Sequence, residues 1–155
     1  MPNLIGFLLC SRRRIKIIFR GKHIVDKFRL FLWALLDSIP RTFMRLLPLG
    51  VVNTIKSVKY ILCHGANVNT SLGIFRCVDE ESLIILSDEF EPWIWNHFKI
   101  PKNGIFIDVG AHIGKYAIAM AKVIGDKGLV IAVEPHPENF SVLTENISLN
   151  HFEEC

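Results

Sequence analysis

Asp108, Gly110, Ala111, Gly114 and Glu134 are the residues of this 155-residue chain whose types and spacing suit them to hold a ligand. Asp108 ends the apolar run Ile105-Phe106-Ile107, and the turn Gly110-Ala111-His112-Ile113-Gly114 follows almost at once. Glu134 ends a second apolar run, Val130-Ile131-Ala132-Val133, twenty residues beyond Gly114. A strand that runs into a glycine turn opening a helix, then a strand that ends on a carboxylate, is the layout of a nucleotide-cofactor half-site. The glycines let backbone approach the ligand, and the acid accepts from ribose hydroxyls.

Glycine spacing bears on which cofactor. A dinucleotide fingerprint has its first two glycines around one residue, whereas Gly110 and Gly114 bracket three and position 112 is His. The pyrophosphate cradle of NAD or FAD is poorly matched. A D-x-G-x-x-x-G turn suits S-adenosylmethionine, which has no phosphate and offers an amino-acid end and a ribose. Gly110, Ala111 and Gly114 then lie beside its amino-acid portion, with helix-opening N–H groups for the carboxylate. Asp108 orients the turn or meets the ammonium group through water. Glu134 takes two charge-assisted hydrogen bonds from the ribose diol. His112 reads as a solvated or capping residue rather than a general base, and no catalytic residue is assigned.

Residues 104 to 150 carry three linked phrases: Asp108-Val109-Gly110-Ala111-His112-Ile113-Gly114, Glu134-Pro135-His136-Pro137-Glu138-Asn139-Phe140, and the pair Asn146 and Asn150. Together they resemble the FkbM-type methyltransferases. That resemblance implies a class I, Rossmann-like parallel sheet, S-adenosyl-L-methionine as cofactor, and O-methylation of a hydroxyl on a sugar or secondary metabolite. It implies a small-molecule or glycan acceptor and no nucleic acid. His112 and Lys115 depart from the family pattern, which more often shows Asn and an aromatic residue. Only two strands of the larger sheet the family implies can be placed, so the chain reads as an incomplete piece, with a complementing chain as one way to finish the sheet.

The elements that must position these residues follow from periodicity. Ala117, Ile118, Met120, Ala121 and Ile124 give an apolar face at helical spacing after Gly114, and Gly125-Asp126-Lys127-Gly128 ends that helix. Leu129 to Val133 is apolar throughout, as in a strand buried on both faces. Pro137 suits a first helical position, and Phe140, Leu143 and Ile147 line one face of the next helix. Strand, helix, strand, helix predicts a parallel crossover and an α/β fold. Upstream, Leu72 to Val78 and Ser82 to Leu86 read as a strand pair joined by Asp79-Glu80-Glu81. Asp88 to Phe98 reads as a short helix, with the acid of Glu91 favourable in its first turn, a rim role near the cofactor being the other reading. Trp93 and Trp95 read as core, or as the flanks of a substrate mouth. Pro101-Lys102-Asn103-Gly104 supplies the turn into the first sheet strand.

The net charge of +3 hides an asymmetry. Residues 1 to 60 hold twelve Lys or Arg against Asp26 and Asp37, a balance of +10, and the remainder balances at −7. The expected organisation is a basic, amphipathic helical segment over 1–70 and the first part of a methyltransferase domain over 71–155. Ile24 to Leu49 is apolar but interrupted by charges and by Pro40, which predicts short amphipathic helices, not a span. They read as a cap packed on the domain, with peripheral membrane contact through residues 1–60 as the other reading. Cys10, Cys63, Cys77 and Cys155 are scattered, fitting buried free thiols in a reducing compartment and hence a cytoplasmic, membrane-peripheral setting. His64, His97, His136 and His151 show no metal-ligand spacing. Two other function classes stay open: a dinucleotide-dependent oxidoreductase fragment, and a non-catalytic remnant that binds a membrane surface or a partner chain.

Overall fold

The computed structural model describes residues 4–99 and 102–152, with side chains from residue 12 onward. Cys10, Cys155 and Pro101 lie outside those descriptions. The N-terminal part is helical: α1 (Leu4–Arg20), α2 (Ile24–Asp37), the single turn α3 (Arg41–Met44) and α4 (Leu49–Cys63). Pro40 separates α2 from α3 because it has no N–H to continue the ladder. No described helix is long and apolar enough to cross a membrane.

A short antiparallel hairpin follows, β1 (Asn67–Asn69) against β2 (Ile74–Arg76), in the register Val68 to Phe75. The second strand expected over Ser82 to Leu86 is instead the helix α5 (Glu80–Ile85). Asp79 decides this. Its carboxylate accepts from the backbone N–H of Ser82 at 2.9 Å, and the Ser82 hydroxyl accepts from Val78 N–H at 3.1 Å. Two orphan donors at the entrance are thereby satisfied, and Glu80 and Glu81 favour the first turn. Over Asp88 to Phe98 only a 3-10 helix forms, Pro92–Asn96.

The C-terminal part has the expected order: β3 (Ile105–Val109), α6 (Lys115–Ile124), β4 (Leu129–Val133) and α7 (Pro137–Leu149). β3 and β4 pair in parallel, with Asp108 beside Ala132 and Val109 beside Val133. The fold is α/β, a partial Rossmann-like sheet. One face of the sheet, Phe106, Asp108, Val130 and Ala132, is half-buried toward the helices. The other is open: Ile105, Ile107, Val109, Leu129, Ile131 and Val133 are 41–79% exposed. β4 is thus covered on one face among the described residues, not on both.

The two expected segments share one core. Ile17, Leu30, Trp33, Val68, Phe75, Leu83, Ile113, Ile118 and Val142 belong to a single buried cluster. The boundary expected at residue 70 falls in the hairpin turn, where the Thr70 side chain and backbone bond Gly73. The helical cap therefore packs on the hairpin and α5. A short hairpin alone is marginal, and its edges invite mispairing. Both edges are closed here. Lys22 N–H donates to Asn67 O at 2.8 Å on the β1 side, and Gly21 bridges to Val68.

On the β2 side the closure comes from two side chains of α7. Asn146 Oδ1 accepts from Arg76 N–H at 2.6 Å, and its Nδ2 donates to Arg76 O at 3.2 Å. Asn150 treats Ile74 the same way, at 3.0 and 2.7 Å. Four residues of helix rise about 6 Å and two residues of strand about 6.6 Å. Two amides at that helical spacing therefore stand in for a neighbouring strand.

Candidate cofactor site

β3 delivers Asp108 to its C-terminal end, and the chain must then turn sharply into α6. Three left-handed residues make the turn: Gly110 (φ 82°), His112 (φ 51°) and Gly114 (φ 91°). The N–H groups of Gly110 and Ala111 both donate to Val133 O, at 2.8 and 3.1 Å, so the turn is fastened to the end of β4.

The two glycines do different work. A Cβ at Gly110 would meet nothing within 4 Å, so this backbone faces open space that a ligand can enter. A Cβ at Gly114 would stand 2.6 Å from Leu143 Cδ1, so this glycine lets α7 pack closely against the start of α6. Gly114 is buried, as is Ala111. Their approach to a ligand is through backbone alone.

Glu134 closes the site from β4. Its Oε2 accepts from His112 N–H at 2.8 Å, and its Oε1 from His136 N–H at 2.9 Å. Burial pushes this carboxyl up, but the His136 and His112 N–H groups and the Asn139 side chain outweigh it and hold the carboxyl below its usual range. It is ionised at neutral pH. A carboxylate has about four lone-pair directions, and these three donors leave room for a hydroxyl. Full engagement of a ribose diol requires Asn139 to yield its bond.

Asp108 behaves in the opposite sense. Burial pushes its carboxyl above the ordinary range, the Ala117 N–H at the start of α6 opposes this, and the charge of Glu134 adds to it. Oδ2 of Asp108 is buried with no hydrogen-bond partner. Nδ1 of His112 is likewise buried and unpartnered, in a residue that is half-buried as a whole.

The lead-in segment is tied to the turn by the residues that follow it. Lys115 is 4% exposed; its ammonium donates to Phe90 O at 3.2 Å and lies over the rings of Phe90 and Tyr116. Burial lowers its pKa, against the pull of Glu91 and Asp88. Tyr116 Oη donates to Glu91 Oε2 at 2.7 Å, which gives Glu91 a tethering job and not a cap. Trp95 packs on Phe98 and Tyr116, whereas Trp93 is 57% exposed. Asn146 is wholly buried and also donates to Ile113 O at 2.9 Å, joining turn, hairpin and α7. Sequence reasoning saw Asn146 and Asn150 only as a motif; the matched spacing of helix and strand was the signal for their role. A groove of about 380 Å³ lies behind β4, lined by Val130, Ala132, Leu143 and Ile147. It includes none of the five candidate residues.

Cys63 and Cys77 are buried free thiols whose pKa values burial pushes upward, which makes them inert packing groups. Among the described residues no group of three His, Cys, Asp or Glu is placed to hold a metal ion.

Residues 97–155 match the family model for the TRM5/TYW2 methyltransferase domain. No curated protein and no solved structure matches the chain. The fold, the glycine turn and this match together support an S-adenosylmethionine-dependent methyltransferase domain, with S-adenosylmethionine as its cofactor. The family named is not the FkbM type that the motifs resemble; the agreement between them is at the level of the cofactor and the domain class. The site fits that cofactor on its own geometry. Gly110 leaves a space no side chain fills, and Asp108 Oδ2 offers a buried acceptor without a donor.

Proposed function

We propose that this chain supplies the cofactor side of an O-methyltransferase of the FkbM type, acting on a hydroxyl of a sugar or secondary metabolite. The observation that carries the reading is Glu134: one carboxylate holds the glycine turn through His112 N–H and presents its remaining acceptor capacity at the mouth of that turn. The bound cofactor supplies an electrophilic methyl group. The chain's residues would hold and orient it: Gly110 would give its amino-acid end access to backbone, Asp108 would orient the turn or meet its ammonium group through water, and Glu134 would accept from its ribose. In-line alignment supplies much of the acceleration of methyl transfer. A hydroxyl acceptor also needs a base, and none is assigned among the described residues.

The test is made in the native host fed methyl-labelled methionine, with the wild-type chain and with Glu134→Ala. Labelled methyl ethers that vanish with the variant are the expected result. Variant-dependent label found only on nitrogen or in alkali-labile esters would overturn O-methylation.

A further inference from the structure

Helix α2 turns the wrong face outward for a cap bathed in water. Its inward stripe is buried: Asp26, Leu30, Trp33 and Ala34. Asp26 spends its carboxylate internally, accepting from His23 N–H at 3.1 Å and Asn67 N–H at 3.2 Å. A helix with one side packed on a core normally carries polar residues opposite. Here the opposite side is Ile24, Phe28, Phe31 and Leu35, at spacings of four, three and four residues, and these are 84, 60, 44 and 53% exposed. On α1, Ile17 points inward while Ile15 and Phe19 are 53 and 74% exposed. On each helix these residues fall on one face at helical spacing, not as a scatter of single residues.

The unpaired charge around it has one sign, because Asp88 and Glu89, the acids that reach α1, are paired with Lys16 and Arg20. Lys22 and Lys27 border this hairpin of helices, and Arg41, Arg45 and Lys56 lie on the α3 and α4 side. None of the five has an ion-pair partner among the described residues. Asp37, the other acid of this region, is consumed by Arg14 and Lys59 at 2.9 and 3.0 Å. A protein partner or a second copy would have to bring an apolar face ringed with acids. An anionic bilayer offers both features everywhere on its surface. At 14 residues, α2 is about 21 Å long, too short to span a hydrocarbon core of about 30 Å. An in-plane position is the geometry left.

We propose that the outward side of α1 and α2, comprising Ile15, Phe19, Ile24, Phe28, Phe31 and Leu35, lies flat on an anionic lipid surface, with Lys22 and Lys27 among the headgroups. The experiment is co-sedimentation of the full chain with phosphatidylcholine vesicles, with and without phosphatidylserine. Partition onto the anionic vesicles exceeds that onto neutral ones by about tenfold or more, as two basic residues near the surface require, and it falls as salt is raised. The paired substitution Phe28→Gln with Phe31→Gln abolishes it without lowering the melting temperature, since both side chains are exposed. Vesicle binding that survives this pair overturns the proposal. So does retention by heparin with no preference for vesicles, which marks a site for anionic polymers. A dimer that the pair dissolves, in a chain that ignores vesicles, assigns the face to a second copy and overturns it too.

Discussion

Asp108 and Glu134 flank the same turn, yet their environments push them in opposite directions. Glu134 is held ionised by backbone N–H groups, while Asp108 is partly desolvated with one oxygen unpaired. A ligand ammonium favours the ionised form of Asp108, so ligand binding must lower its pKa and expel a proton. The affinity for S-adenosylhomocysteine therefore rises with pH through the raised titration range of Asp108, and Asp108→Asn flattens that slope. Calorimetry in buffers of different ionisation enthalpy measures the proton release. The stability sign is reversed. A carboxyl whose pKa is raised by folding contributes stability at low pH and loses it as pH climbs from its unfolded toward its folded value. Asp108→Asn removes that cost, so the ligand-free variant melts at a higher temperature than the parent at neutral pH. A lower melting temperature would contradict this cost of burial. Glu134→Ala acts differently: it removes charge-assisted hydrogen bonds and frees the turn, weakening S-adenosylhomocysteine by about 1.5–3 kcal/mol. Unchanged affinity in a titration would remove the ribose role.

Among the elements, α7 does the most to hold the site together. Its paired asparagines replace a strand along β2, and Asn146 alone bonds three backbone groups from two other segments. Asn146→Ala leaves those groups buried and unmatched, so it destabilises by about 2–4 kcal/mol. Urea unfolding measures this, and a loss under about 0.5 kcal/mol, the range of ordinary surface changes, would contradict it. The sheet order, α6, β4 and the start of α7 were legible in sequence because apolar periodicity and the Gly and Pro punctuation agree there. The strand expected over Ser82 to Leu86 failed for a local reason. Leu83, Ile84 and Ile85 look like a strand by apolarity, but Asp79 and Ser82 form a helix entrance, and that hydrogen-bonded start prevails over β-branched propensity. The division of labour between Gly110 and Gly114 was not legible, because both satisfy the same turn pattern and only the position of Leu143 separates them.

At the scale of the molecule, half of what the sequence suggests about surfaces depends on what faces what. The charge split was visible from composition, but not that the basic helices share a core with the turn. Nor did the apolar strands reveal which faces are covered. β3 and β4 expose Ile105, Ile107, Val109, Leu129, Ile131 and Val133 as one apolar surface. Parallel strands are ordinarily covered on both faces, and an open one favours association. The 155-residue chain is therefore expected to bind a hydrophobic dye and to self-associate as its concentration rises. Ile107→Thr with Ile131→Thr reduces both while leaving the melting temperature nearly unchanged. Dye binding that persists undiminished in that variant would place the exposed apolar surface elsewhere.

The central claim is that the turn from Asp108 to Gly114, closed by Glu134, is built for S-adenosylmethionine and not for a dinucleotide. Calorimetric titration of the full chain with S-adenosylhomocysteine and, separately, with NAD tests it most directly. The account predicts heat of binding for S-adenosylhomocysteine, diminished in Glu134→Ala, and none for NAD. Binding of NAD, or of both ligands alike, would contradict it.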